Sequence, residues 1–347
     1  MYLLLVTNHE LLRNFAAEAE VSDGHERVQR DLDRKHYKDI VGYITENPAD
    51  YLLGAMTYAI DTVDASDFIA AGPGSNIGTL VLPTSARMRC LDGQHRRAAI
   101  AEAVSLDESV GDDYSAVVLY VEDDYMKRRQ MFSDMNATPK VVSKALNITF
   151  DSRDPYAKAA QHLADQHPLL AGVVETRKAR ITTTDAKIFS LAGVYDGLKR
   201  FDLGMVLPRG RSPKNKTIDE LIEIGTTLFD TIQAAFPEFQ EAKDKLEATD
   251  DVKEQADLMR QARRSTILFS TTTLRVVSGA LHEAMKVDDE NDPAKYIGRL
   301  AKIDFAPTSK LFASPDVGFV TGSGTPSARN QEVFAATKAL TEAIRIR

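Results

Sequence analysis

Asp92-Gly93-Gln94-His95-Arg96 joins two runs of different structural preference. Residues 85–91 favour a short strand, and residues 98–103 are strong helix formers. The stretch therefore predicts a strand-to-helix junction, a place where proteins build phosphate-binding turns. At this junction we expect Asp92 to act as the N-cap of the helix and Gly93 to let the backbone turn tightly.

The first helical turn after Gly93 carries the donors that an anion needs. The backbone amides of Gln94 and His95, together with the helix dipole, favour a negative charge here. Arg96 and Arg97 add charge-assisted donors that a phosphate can accept. His95 is interpreted as a general acid or base, as a neutral donor to phosphate, or as a residue that only completes a hydrogen-bond network.

Strands and helices alternate over the first part of the chain, which predicts a mixed α/β domain over residues 1–150. The predicted helices and strands are a helix at 26–46, strands at 51–60, 79–82, 85–91 and 116–121, and helices at 123–135 and 142–150. The ends of successive strands in such a fold converge on one crevice. Asp134 and Asn136 can therefore orient His95 or a bound nucleotide, or they can simply end and cap helices.

The remainder of the chain favours helix almost throughout, which predicts an all-helical domain over residues 151–347. The predicted helices span 156–167, 184–200, 217–235, 239–260, 265–285 and 327–344. A loop rich in proline, glycine and basic residues, 208–216, interrupts them and is expected to be exposed. The fold class is therefore α+β.

Composition excludes several classes of protein. With 347 residues and 43% hydrophobic content, the chain can bury a sizeable core and form two domains. The early apolar run at 2–6 is too short for a signal or membrane-spanning segment, so we expect a cytoplasmic protein. One cysteine excludes an intrachain disulfide, and seven scattered histidines give no metal-site pattern.

Positive charge is concentrated in one stretch of an acidic chain. The net charge is −8, but residues 177–216 carry ten Lys/Arg against three Asp, a local +7. This asymmetry is typical of a protein that binds DNA in one orientation, although a solvated face with a flexible loop would give the same pattern. The candidate DNA-binding residues are Arg177, Lys178, Arg180, Lys199, Arg200, Arg209, Arg211, Lys214 and Lys216.

The motifs, in their order, resemble the DGQHR-domain family, and most closely its DndB-type DNA sulfur modification proteins. The resemblance rests on 91–96, on Phe132-Ser133-Asp134-Met135-Asn136 and on Ser143-Lys144-Ala145-Leu146, and it covers roughly 26–155. More distantly, the turn is similar to phosphate-binding motifs of ParB-type proteins and sulfiredoxins. In sulfiredoxins a reactive cysteine stands where Gln94 stands here, which argues against their redox chemistry.

The resemblance implies a role beside the enzymes that replace a phosphate oxygen of DNA with sulfur. It implies a DNA-binding repressor of the modification operon, with a ParB-like N-terminal domain, the operon promoter as its DNA and other modification proteins as partners. Family members usually carry sequence before the segment that matches 2–5, so the start is expected to be short. An operator of two half-sites would make the protein a homodimer.

Two other hypotheses stay open. In the first, the turn is a weak NTPase or nuclease-like site that binds a nucleoside triphosphate with Mg²⁺; Asp92 would position the metal or water, and His95 and Arg96 would stabilise charge. Against it, the chain has no P-loop motif. In the second, the turn is a structural bracket with Arg96 salt-bridged internally, and the chain is a protein-binding subunit of a modification complex.

Overall fold

The structure is a computed structural model and falls into two compact units, residues 1–140 (unit 1) and 141–347 (unit 2). It describes residues 1–15, 34–64, 67–82, 88–137, 144–178, 180–182, 185–205, 213 and 215–345. The predicted candidates Arg209, Arg211 and Lys214 lie outside the described residues, as do 26–33 of the first predicted helix.

Unit 1 is built on a four-stranded mixed sheet. Its strands are β1 (Tyr2–Thr7), β2 (Met56–Ile60), β5 (Met88–Asp92) and β6 (Tyr114–Val121), in the order β1-β6-β2-β5. β2 runs parallel to β6, and the other two pairs are antiparallel. A separate antiparallel pair joins β3 (Phe68–Ala70) to β4 (Gly78–Leu80).

Sheet burial follows the sequence pattern. Alternate residues of β6 are buried, as expected for a strand with one face on the core, whereas every residue of β2 is buried, as expected for a strand covered on both faces. The predicted strand at 51–60 is correct only from Met56, since 51–55 have no regular structure. The run at 2–6, interpreted only as too short for a membrane, is an edge strand.

In the described part of unit 1 the helices are α1 (Asn8–Asn14), α2 (Arg34–Glu46), α3 (Gln94–Leu106) and α4 (Tyr125–Ala137). α2 packs against α3, and a surface ion pair from Lys38 to Glu102, 2.5 Å long, joins them. The buried core of the unit includes Leu11, Ile44, Tyr58 and Ile100. The predicted helix at 123–135 is confirmed within two residues at each end.

Where it is described, unit 2 is helical, with one short pair of parallel strands, β7 (Val174–Glu175) and β8 (Phe189–Ser190). Its helices are α5 (Lys144–Phe150), α6 (Pro155–Gln166), α7 (Leu191–Leu203), α8 (Ile218–Ala235), α9 (Glu238–Glu247), α10 (Val252–Ser265), α11 (Thr271–Asp288), α12 (Ile297–Leu300), α13 (Lys310–Ala313) and α14 (Asn330–Ile344). α11 packs against α7 and α14 around an apolar core.

Side-chain caps explain where two predicted helices of unit 2 were wrong. The helix predicted from 184 begins only at Leu191, because Ser190 Oγ accepts the amide of Gly193 and starts the helix there. The helix predicted at 239–260 is two helices, since Asp251 caps the start of α10. The α8 prediction at 217–235 is confirmed, with Thr217 as N-cap.

The predicted fold class is confirmed at its coarse level: the chain is α+β, with an N-terminal sheet followed by a helical C-terminal region. None of the described helices is long and apolar enough to cross a membrane.

Candidate functional site

Gly93 makes the turn between β5 and α3. Its backbone has φ 104° and ψ 11°, a left-handed conformation that residues with a Cβ rarely adopt. A Cβ built at Gly93 would also lie 2.4 Å from Cγ of Met56 on β2. The N-cap of α3 is therefore Gly93, and the expectation that Asp92 caps the helix is wrong; Asp92 is the last residue of β5.

Asp92 is instead paired with Arg96, one helical turn further on. Arg96 Nη2 donates to Asp92 Oδ2 at 2.5 Å, and Arg96 Nη1 donates to the carbonyls of Gly54 and Ala55 at 2.7 and 2.8 Å. Arg96 therefore joins the start of α3 to the segment that leads into β2. This is the internal salt bridge that the bracket hypothesis expects.

Arg97 also donates to backbone carbonyls. Its Nε donates to the carbonyl of Phe15 at 2.5 Å, and its Nη2 donates to that of Leu12 at 3.2 Å. These carbonyls lie at the C-terminal end of α1, where helix carbonyls lack partners within the helix. A guanidinium there satisfies them and complements the helix dipole.

Gln94 and His95 occupy the first turn of α3 and are half-buried, and both have interactions within the protein. Below them, Tyr58 and Cys90 are buried, as expected for a small apolar Cys90, whose Sγ donates to the Asp92 carbonyl at 3.4 Å. Burial raises the pKa of Tyr58 far above its ordinary value.

Asp134 and Asn136 lie on α4, which packs against β5. Asp134 is exposed and accepts from Nε2 of Gln130 at 2.6 Å, one helical turn earlier. The side chain of Asn136 lies outside the described residues. Among the described part of the chain, no cluster of three or more His, Cys, Asp or Glu side chains is placed to hold a metal ion.

The basic stretch 177–216 does not form one uniform surface. Lys199 is buried, and its ammonium lies over the rings of Tyr195 and Tyr156 at 5.1 and 5.6 Å. Two other lysines are paired: Lys178 Nζ lies 2.5 Å from Asp185, and Lys216 Nζ lies 3.0 Å from Asp202. Arg177 and Arg180 are exposed.

A cleft in unit 2, which we call the arginine cleft, gathers arginines from distant parts of the sequence. Its volume is about 1610 Å³, and its described lining residues include six arginines and one aspartate, Asp196. The arginines are Arg180, Arg200, Arg260, Arg263, Arg264 and Arg275. Arg180 and Arg264 are exposed, so they can reach a ligand that lies across the opening.

Arg263 has a structural task in the cleft wall. It donates to the carbonyls of Thr182 and Asp185 at 3.1 and 3.0 Å and to the carbonyl of Lys187. It therefore fixes the segment that carries Arg180. Burial lowers the pKa of Arg263 from its ordinary value, and Asp185 opposes that effect.

Arg200 and Arg275 lie together in the deeper part of the cleft. Arg200 is 8% exposed and donates to the carbonyl of Met205 at 3.2 Å. Burial lowers the pKa of Arg200, and the charge of Arg275 lowers it further, whereas Asp196 raises it. The positive charge of buried Arg200 is therefore close to that of Arg275, and the carboxylate of Asp196 offsets part of their repulsion.

Sequence reasoning missed four of the six cleft arginines. Arg260, Arg263 and Arg264 stand at i, i+3 and i+4 on α10, a spacing that places them on one helix face. That spacing was a usable signal, but basic residues in a last helical turn also occur for the dipole alone. Arg275, near the start of α11, carries no comparable signal.

Comparison with known protein families identifies one match. The DndB family model, described as DNA-sulfur modification-associated, matches residues 1–347, the whole chain. A comparison with curated proteins found no match.

Proposed function

The chain belongs to the DndB family of DNA-sulfur modification-associated proteins, and we propose that it is a DNA-binding transcriptional regulator of a DNA phosphorothioate modification system. Its DNA is the promoter of the modification operon. Other modification proteins are its partners, and an operator of two half-sites would be bound by a homodimer.

The observation that carries this proposal is the arginine cleft. An overall charge of −8 repels polyanions from most of the surface, whereas six arginines surround one opening in unit 2. Guanidinium groups bind phosphate through paired, charge-assisted hydrogen bonds. Arg180 and Arg264 are exposed at the cleft and, with exposed Arg177, supply the contacts to the DNA backbone.

The DGQHR turn has a more limited role in this proposal. Arg96 and Arg97 donate to backbone carbonyls, and Asp92 is paired with Arg96, so these side chains hold unit 1 together. A phosphate at the turn would be bound by the amides of Gln94 and His95 at the start of α3. We do not propose NTP hydrolysis, since the carboxylate that would position a metal is already committed to Arg96.

A salt titration of duplex DNA tests the proposal. With three phosphate contacts, from Arg177, Arg180 and Arg264, the logarithm of affinity for the promoter duplex falls against log salt with a slope of about −3. The double variant Arg180→Gln/Arg264→Gln loses two contacts, so the slope becomes shallower by roughly two. The matched control, Lys245→Gln/Lys253→Gln, removes two exposed charges that do not line the cleft and keeps the wild-type slope.

Two results would contradict DNA binding at the cleft. One is the absence of duplex binding by the wild type at low salt. The other is an equal loss of slope in the cleft and control variants, which would assign the effect to net charge alone.

A further inference from the structure

We propose that the deep part of the arginine cleft is a nucleotide site, in which Arg200 and Arg275 bind phosphate groups and Phe334 stacks on the base. The inference rests on the cleft of the proposed function and deepens it, because it names the ligand unit that the interior takes. The proposed nucleotide site belongs to unit 2 and does not involve the DGQHR turn of unit 1.

The first support is the state of the two arginines. Nε of Arg200 and Nε of Arg275 are buried, and neither has a hydrogen-bond partner among the described residues; the same holds for Nε of Arg263, whose other nitrogens, unlike those of Arg275, donate to carbonyls of the cleft wall. Buried donors without acceptors cost free energy and are rare in folded proteins. The ion pairs found within the described ranges also include neither residue. An entering anion with several acceptor oxygens would satisfy these donors.

The second support is like-charge repulsion. Burial and the charge of Arg275 act in the same direction on Arg200, and a single carboxylate, Asp196, opposes them. Proteins keep such unfavourable arrangements chiefly where a ligand resolves them. The terminal phosphate of a nucleotide, with about two negative charges, offsets both guanidinium groups, and two neighbouring phosphodiesters of a DNA strand, with one charge each, do the same.

The third support is the shape of the site. The backbone of a DNA duplex is convex, so it contacts side chains that protrude from a protein surface. Arg200 is only 8% exposed and does not protrude. Only a ligand that enters the cleft reaches it. The cleft volume of about 1610 Å³ exceeds the roughly 300–1,000 Å³ typical of small-molecule pockets, so a nucleotide fits with room for its neighbours.

Two helices also begin at the cleft. Thr271 and Asn330, the first residues of α11 and α14, both line it, and the two helices pack against each other. Helices of this length carry partial positive charge at their N-terminal ends, which adds to that of the arginines.

Phe334 supplies the means to bind the base. It lies one turn into α14, lines the cleft and is 48% exposed, which is unusual for a phenylalanine in a unit whose other large aromatic side chains are mostly buried. An aromatic face beside arginines is the arrangement with which proteins stack unpaired bases. The ligand chemistry is therefore a phosphate with an aromatic base, from a free nucleotide or from a single DNA strand.

Calorimetric titration of the full chain with three probes tests the proposal. The probes are ATP, a six-nucleotide oligothymidylate and inorganic triphosphate, and the variants are Arg275→Gln, Arg275→Lys and Phe334→Ala. Arg275→Gln is expected to weaken the binding of ATP or the oligonucleotide by about 10-fold or more, since it removes charge-assisted hydrogen bonds. Arg275→Lys restores part of that loss because it keeps the charge.

Phe334→Ala separates the base from the phosphates. It is expected to weaken ATP or oligonucleotide binding by about 5-fold or more and to leave triphosphate binding unchanged, because only the first two probes have a base. Arg299→Gln, which removes a charge from α12 outside the cleft, is the control and binds all probes as the wild type does.

The outcomes distinguish the sources of the ligand. ATP binding without oligonucleotide binding identifies a free nucleotide, and the reverse identifies a DNA strand; both support the site. The proposal is overturned if none of the three probes binds, or if wild type and Arg275→Gln bind them equally well. Duplex affinity in the salt titration is measured separately, so a failure of duplex binding with intact ATP binding rejects the DNA-binding function alone.

Discussion

The DGQHR turn and the arginine cleft both contain several arginines, but these arginines differ in how far the protein itself satisfies their hydrogen-bond donors. At the turn, Arg96 and Arg97 donate to main-chain carbonyls and to Asp92, and each joins segments far apart in the sequence. In the cleft, Arg200 and Arg275 retain donors that no described residue accepts. An arginine-rich motif is therefore evidence for anion binding only after its donors have been accounted for.

Gly93→Ala probes the turn most severely and is expected to have the largest effect. A Cβ at φ 104° is strained, and it would also collide with Met56, so unit 1 loses about 3 kcal/mol or more of unfolding free energy. Denaturant unfolding of the full chain measures this loss.

Gly298→Ala is its matched control, because Gly298 has open space around its Cβ position and no positive φ. That variant should stay within about 0.5 kcal/mol of the wild type. An equal loss in the two variants would mean that Gly93 is not constrained by the turn.

Arg97→Gln is expected to be next in size. It leaves the carbonyls of Phe15 and Leu12 without their charged donor, at a cost of about 2–3 kcal/mol in the stability of unit 1. Thermal unfolding measures the loss. The control is Arg13→Gln, which changes an exposed arginine of α1, the helix at whose C-terminal end the carbonyl acceptors of Arg97 lie. If Arg97→Gln leaves the stability unchanged, the structural interpretation of the turn is wrong, and Arg97 is again a candidate phosphate ligand.

Arg263→Gln sharpens the comparison from within the cleft. Since Arg263 donates to three carbonyls of the wall, its loss is expected to cost about 2 kcal/mol. Its neighbour Arg264 is exposed, and Arg264→Gln should change stability by less than about 0.5 kcal/mol. Thermal unfolding of the two variants measures both changes in stability. Equal losses would show that position on α10, rather than the wall contacts, determines the effect.

The sequence predicted what local chemistry controls. The strand, the glycine turn and the helix at 88–106 follow from short-range preferences, and so does the helical character of unit 2. The carbonyl acceptors of Arg96 and Arg97 could not be predicted, because they lie 41 to 85 residues away. The arginine cleft was also missed, since it joins Arg180, the end of α10 and the start of α11, which only the tertiary fold brings together.

The same distinction applies to the basic stretch at 177–216. Ten positive residues within 177–216 suggested one DNA-binding face. In the fold, the ammonium of buried Lys199 lies over two tyrosine rings and Lys216 is paired with Asp202, so both charges already have partners within the protein. Of the predicted candidates, Arg180 and Arg200 line the arginine cleft. The other four arginines of the cleft lie outside the stretch 177–216.

The most direct test of the account is the unfolding free energy of Arg275→Gln without any ligand. This variant is expected to be more stable than the wild type by about 1 kcal/mol, because the substitution removes the repulsion between the buried charge of Arg200 and the half-buried charge of Arg275. A loss of about 1 kcal/mol or more would contradict it, since Arg275 would then be a structural arginine like Arg97.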